Sequence, residues 1–127
     1  MSDVPDELLY SEEHLWVAWT DDDVTIGLTH YGQQELGEMI FVELPAIDEI
    51  FARLDVFGTV EAAEAVTELF SPIGGTVIDV NPLLAKDPTL VNSDPYGEGW
   101  LLHLRPKSIS ERDELLGAAE YREHIGD

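Results

Sequence analysis

Short stretches in which apolar and polar residues alternate recur along most of this chain, and they restrict it to a sheet-rich fold. They fall at 15–19, 24–28, 39–44, 55–60, 76–80 and 100–104, and turn-formers such as Asp21-Asp22-Asp23, Gly74-Gly75 and Asn81-Pro82 separate them. A strand sends successive side chains to opposite faces, so a period of two marks a strand with one dry side. In the last segment Trp100, Leu102 and Leu104 are expected on one face, and Leu101, His103 and Arg105 on the other. Helical signals are fewer. Thr29 can cap a short helix that Gly37 ends, Ser110 with Asp113 predicts a helix through Leu115 and Leu116, and a further stretch at 118–125 stops at Gly126. Many short strands with peripheral helices, the last over 110–125, predict a mainly β protein built as a small β-barrel or sandwich. At 127 residues the chain is expected to form one domain, 1–127, burying roughly two-thirds of its unfolded surface.

Charge excludes several classes of partner. With 27 acidic against 6 basic side chains the formal charge is -21, which repels phosphate backbones and anionic membranes, so neither nucleic acid nor a membrane is expected as a partner. Solubility, a salt-rich cytoplasm and steering towards basic partners are all compatible with that charge. The absence of cysteine excludes disulfides, thiolate metal sites and cysteine nucleophiles. His14, His30, His103 and His124 lack metal-ligand spacing, so no metal is expected. There is no G-x-S-x-G or phosphate loop, and no carboxylate pair stands out, so the chain is not expected to be an enzyme. Met1-Ser2-Asp3 carry no basic, apolar leader and runs such as 39–42 are too short to cross a bilayer, so a cytoplasmic protein is expected.

The segment 58–75, GTVEAAEAVTELFSPIGG, sends conflicting signals. Its centre, 61–69, is rich in helix formers and places Ala62, Ala65, Val66 and Leu69 on one helical face, so in isolation it reads as helix. Against that, Glu61, Glu64 and Glu68 would be like charges three and four apart, each pair costing about 0.2–0.5 kcal/mol.

The same segment resembles the attachment hairpin of the glycine cleavage system H protein family, which usually reads G-x-V-E-S-V-K-A, an acidic residue and S-P-x-x-G; Gly58, Val60, Glu61, Ala65, Glu68, Ser71, Pro72 and Gly75 match. Tyr10-Ser11-Glu12-Glu13-His14-Leu15-Trp16 is similar to the family's Y-S-x-E-H-E-W, and Gly27-Leu28-Thr29-His30-Tyr31-Gly32-Gln33 to its G-I/L-T-x-x-A-Q. The stretch 36–45, LGEMIFVELP, and the stretch 90–100, LVNSDPYGEGW, match two further blocks in the family's order. The resemblance implies a flattened β-barrel/sandwich hybrid of the lipoyl/biotinyl kind with short peripheral helices, and a monomer. It also implies that 58–75 is a β-hairpin with residue 64 exposed at its turn, and that expectation is preferred over the helix because context overrides propensity.

The family role implied is non-catalytic: a hairpin lysine, amidated by lipoate, shuttles the aminomethyl group of glycine between glycine decarboxylase, aminomethyltransferase and dihydrolipoyl dehydrogenase. Glu64 stands at the position of that lysine, so no cofactor is expected on this sequence, and Lys86 and Lys107 lie outside the hairpin. The resemblance further implies a cleft for the loaded arm, with Glu13, His14, Leu15 and Glu68 as the residues near it. Leu15 replaces an acidic residue that helps to bind the aminomethyl nitrogen, a charge-assisted bond worth about 1.5–3 kcal/mol. Asp48 and Leu54 stand where the family commonly has glycine; if those positions need positive φ, Asp is tolerable and Leu strained. Ile47, Ile50, Phe51 and Leu54 are expected to pack locally rather than form an interaction patch. The alternative to a shuttle is an arm-less binding or regulatory protein that docks to glycine decarboxylase or lipoate-transfer enzymes.

Overall fold

Residues 3–127 are described by the computed structural model, so the reading of Met1 and Ser2 as leaderless lies outside the described residues. The elements run β1 (Leu9–Tyr10), β2 (Leu15–Thr20), β3 (Asp23–Leu28), α1 (His30–Leu36), β4 (Met39–Glu43), β5 (Ile50–Phe51), β6 (Val56–Ala62), β7 (Val66–Phe70) and β8 (Gly75–Val80). A 3-10 turn (Pro82–Ala85), α2 (Leu90–Ser93), β9 (Leu102–Pro106), a second 3-10 turn (Ile109–Glu114) and α3 (Ala118–His124) complete the chain.

The strands form a six-stranded sheet in the order β1-β2-β3-β9-β8-β5 and a three-stranded sheet in the order β4-β6-β7. Leu15, Val17, Val24, Ile26, Leu102 and Leu104 of the first sheet meet Met39, Val42, Phe57, Val60 and Leu69 of the second in one buried cluster. The expected mainly β sandwich with short peripheral helices is therefore what forms, but the two sheets do not close into a barrel. Behind the larger sheet, alternation along β2 turns Trp16 and Ala18 outward, where they join a second cluster with Val4, Tyr10, Ala118 and Tyr121 beneath α3. There the Tyr10 and Tyr121 rings stack at 4.6 Å, and the Tyr10 hydroxyl donates to the Pro5 carbonyl at 2.6 Å.

Several local expectations are corrected. The strand expected from residue 100 begins at Leu102, because Asn81 Nδ2 takes the carbonyls of Glu98 (2.7 Å) and Trp100 (2.8 Å) and so diverts the chain before it joins the ladder. Leu101 is consequently buried with Leu102 and Leu104, and Trp100 stacks on His103 at 4.2 Å. Of the two helical stretches expected over 110–125, the first forms only as the 3-10 turn Ile109–Glu114 and does not reach Leu115 and Leu116, while the second forms as α3. Ser110 shares a hydroxyl bond with Ser108 at 2.7 Å instead of capping a helix. Leu116 then bridges in extended form to Tyr10, ahead of α3.

The loop 46–55 differs most. Asp48 and Leu54 have φ of 78° and 73°, as glycine positions would. Ile47, Ile50 and Leu54 do not pack locally, being 53%, 73% and 49% exposed, because β5 is an edge strand that turns only Phe51 towards the core. A leucine in the left-handed region carries about 1–2 kcal/mol of strain, part of which a glycine returns as extra freedom of the unfolded chain. Leu54→Gly is therefore expected to raise the unfolding free energy by about 0.5–1 kcal/mol in urea titrations.

Candidate functional site

Residues 58–75 form the hairpin, not the helix that propensity favours. Val60 pairs with Thr67 and Glu61 with Val66, which sends Val60, Ala62 and Leu69 into the core while Glu61, Glu64 and Glu68 stay in water. Two glycines permit the close approach of neighbouring strands: a Cβ on Gly58 would lie 2.2 Å from the Glu43 carbonyl oxygen, and one on Gly75 2.2 Å from that of Arg105.

The tip is fixed by its backbone. Ala62 N–H donates to the Ala65 carbonyl (2.9 Å), Ala63 N–H to Glu38 (2.9 Å) and Glu64 N–H to Leu36 (3.0 Å). Leu36 ends α1, so the tip satisfies a carbonyl that the helix itself leaves free. Gly37, at φ 83°, makes the turn between those two acceptors. Asn92 holds the turn from behind: its Nδ2 donates to Gly37 (2.9 Å) and Gln33 Oε1 (2.9 Å), and its Oδ1 accepts Met39 N–H (2.8 Å). Removing these bonds strands half-buried groups, so Asn92→Ala should cost about 2 kcal/mol in denaturant unfolding and speed exchange of the Ala63 and Glu64 amides.

The Glu64 side chain projects into solvent from this frame. Among the described residues it has neither an ion pair nor a side-chain hydrogen bond. Lys107 sits beyond the far end of the hairpin, its N–H on the Gly74 carbonyl at 3.0 Å, and Lys86 follows the first 3-10 turn. An amide link to lipoate needs a primary amine, so the tip residue present does not fit that group.

Beside the tip, a groove of about 230 Å³ runs between α1 and β7. Leu28, Leu36, Leu69 and Phe70 supply apolar walls, and Glu13, Glu35 and Glu68 stand among its lining. The structure thus brings together Glu13, His14 and Glu68. Leu15, expected with them, is fully buried in the main core instead, because alternation along β2 turns it towards Leu28 and Met39. Tyr31 and Glu35 were not picked out from the sequence, although their four-residue spacing on the helix that Thr29 predicts places them on one face.

His14 ties the groove to α3. Its Nδ1 lies 2.9 Å from the Tyr121 hydroxyl, which lies 2.8 Å from Thr29 Oγ1, the acceptor of Gly32 N–H at 3.0 Å. Burial chiefly, and then His124 with its ring centroid 5.7 Å away, hold the imidazole below its ordinary pKa, while Glu13 and Glu35 pull the other way. The folded chain therefore refuses a proton that the unfolded chain accepts. That contribution to stability is complete above the unfolded value near 6.5 and is lost as pH falls towards the lower folded value. Between about pH 7 and 5.5 the wild type should lose more stability than His14→Asn, whose side chain tolerates the φ of 72° at this position. Equal losses in parallel urea titrations would contradict this.

A rigid hairpin that presents one residue at an exposed tip, docked on a helix end beside a small groove, is the build of a carrier-type module. The profile of the glycine cleavage H-protein family matches residues 8–127. A glycine cleavage system H protein from Staphylococcus carnosus (strain TM300) is 43% identical over 124 residues, covering 98% of each chain. One from Mycolicibacterium gilvum (strain PYR-GCK) is 45% identical over 131 residues, covering all of both. The crystal structure of a glycine cleavage system H protein from Mycobacterium marinum superposes with a TM-score of 0.89 at 33% identity, over 97% of this chain and 99% of that one.

The chain belongs to the glycine cleavage H-protein family. Members of that family are lipoyl carriers, not catalysts, and they work with glycine decarboxylase, aminomethyltransferase and dihydrolipoyl dehydrogenase. No helix among the described residues is long and apolar enough to cross a membrane.

Proposed function

We propose that this chain is an arm-less H protein, which keeps the family's scaffold and docking surface but carries no lipoate. The observation that carries this reading is Glu64 at the exposed tip: a carboxylate has no nitrogen from which to form the amide bond. The tip's backbone frame, built from Leu36, Gly37, Glu38 and Asn92, supports a retained recognition surface. Leu15 lends no further support, since its side chain packs in the core.

On this reading the protein works in the cytoplasm as a monomer and occupies the H-protein site on glycine decarboxylase or a lipoate-transfer enzyme instead of shuttling an aminomethyl group. Competition against a lipoylated H protein in a glycine decarboxylation assay tests it. Inhibition that a higher concentration of the lipoylated protein reverses is expected, and no inhibition at tens of micromolar would count against the proposal.

A further inference from the structure

We infer that the groove beside β7 is a strand-addition site for an extended, basic segment of a partner protein. The inference rests on the reading that residue 64 bears no arm, which would otherwise compete for this groove. Three observations carry it: an unpaired strand edge, an apolar floor and a one-sided charge.

β7 is the outer strand of its sheet and, among the described residues, pairs only with β6. The bond from Ala62 N–H to the Ala65 carbonyl starts the antiparallel alternation, so Thr67 and Leu69 bond inward and the backbone groups of Val66 and Glu68 turn away from β6. On that alternation neither of those N–H groups bonds to β6, and outside the ladder neither has an acceptor among the described residues. An open edge of this kind is the template on which β-augmentation builds, with main-chain bonds giving affinity and alternate side chains giving selectivity.

The floor and rim define the occupant. An added strand would set one row of side chains over Leu28 and Leu69, and the other row beside Val66, which is 71% exposed. Glu13, Glu35 and Glu68 line the groove and, among the described residues, no lysine or arginine does, so the complementary segment alternates apolar residues with lysine or arginine. The overall charge of -21 would draw such a segment in and turn an acidic one away. A second copy of this chain is disfavoured by the same charge.

The test is an NMR titration of the full chain with a short acetylated peptide alternating lysine and valine. Its glutamate–valine counterpart and a lysine–valine peptide N-methylated on the amides that would face β7 serve as controls. Saturable shifts along Val66–Phe70 and α1 are expected, with slowed exchange of the Val66 and Glu68 amides. Both controls should fail to bind, and Glu68→Gln should weaken the lysine–valine peptide several-fold without altering the fold of the free chain. Equal binding of the N-methylated peptide, or no protection at Val66 and Glu68, would mean that charge attraction alone operates and would overturn the proposal. Absence of any binding would overturn it too. Intact mass of the same sample separates this from the proposed function: failure of an unmodified chain refutes the groove, whereas a lipoylated sample refutes the reading of residue 64.

Discussion

Glu64→Lys should take up one lipoyl group from lipoate ligase, lipoate and ATP, passing from no adduct to near-complete modification by intact mass. The contacts that fix the tip, from Ala63 N–H to Glu38 and from Glu64 N–H to Leu36, belong to the backbone, so exchanging this solvent-exposed side chain leaves them in place. The exposed Glu64 side chain has no ion pair or hydrogen bond among the described residues to lose, so the effect on stability should stay within about 0.5 kcal/mol. Attachment should need no second substitution. Leu15→Glu is not required, because Leu15 faces the core and does not line the groove beside the tip. A folded Glu64→Lys chain that stays unmodified beside a modified control H protein would show that the tip's presentation, and not only its amine, has been lost.

The largest loss of stability is expected at the other end of the same hairpin. In Gly75→Ala the new Cβ would lie 2.2 Å from the Arg105 carbonyl oxygen and 2.9 Å from its carbon, and neither can move without opening the β8–β9 ladder, where Gly75 faces Pro106. Overpacking against backbone should cost about 3 kcal/mol or more, seen as a lower urea midpoint at unchanged slope. Gly117→Ala is the control. Its nearest neighbour would be the end of the Glu120 side chain at 3.6 Å, so it should change stability little. Similar effects of the two substitutions would contradict the close approach of β8 and β9.

The strands that were legible in the sequence are those long enough to alternate, such as β2 and β3, whose inward residues build the core. β1 and β5 were not, because two residues cannot display a period. β7 was legible only through the family resemblance, because its composition points to a helix. Its neighbourhood is made of alanine and glutamate, and only long-range burial of Leu69, Val60 and Ala62 decides against a helix. The site divides in the same way. Motif matches located Glu64, Glu13, His14 and Glu68, but a block of consecutive residues does not reveal which of them face outward. Leu15, adjacent to His14, was for that reason placed in the groove when it belongs to the core. The loop 46–55 shows the converse: glycine-like backbone at Asp48 and Leu54 could be anticipated, while exposure of Ile47 and Ile50 depended on β5 lying at a sheet edge.

On the proposed reading the hairpin is kept and the arm is not, a difference that comes down to Glu64. The most direct measurement is the intact mass of the unmutated chain after incubation with lipoate ligase, lipoate and ATP, alongside an H protein with a hairpin lysine as positive control. A mass unchanged from that of the 127-residue polypeptide is expected, while the control gains one lipoyl group. A gain of one lipoyl group by this chain would contradict it.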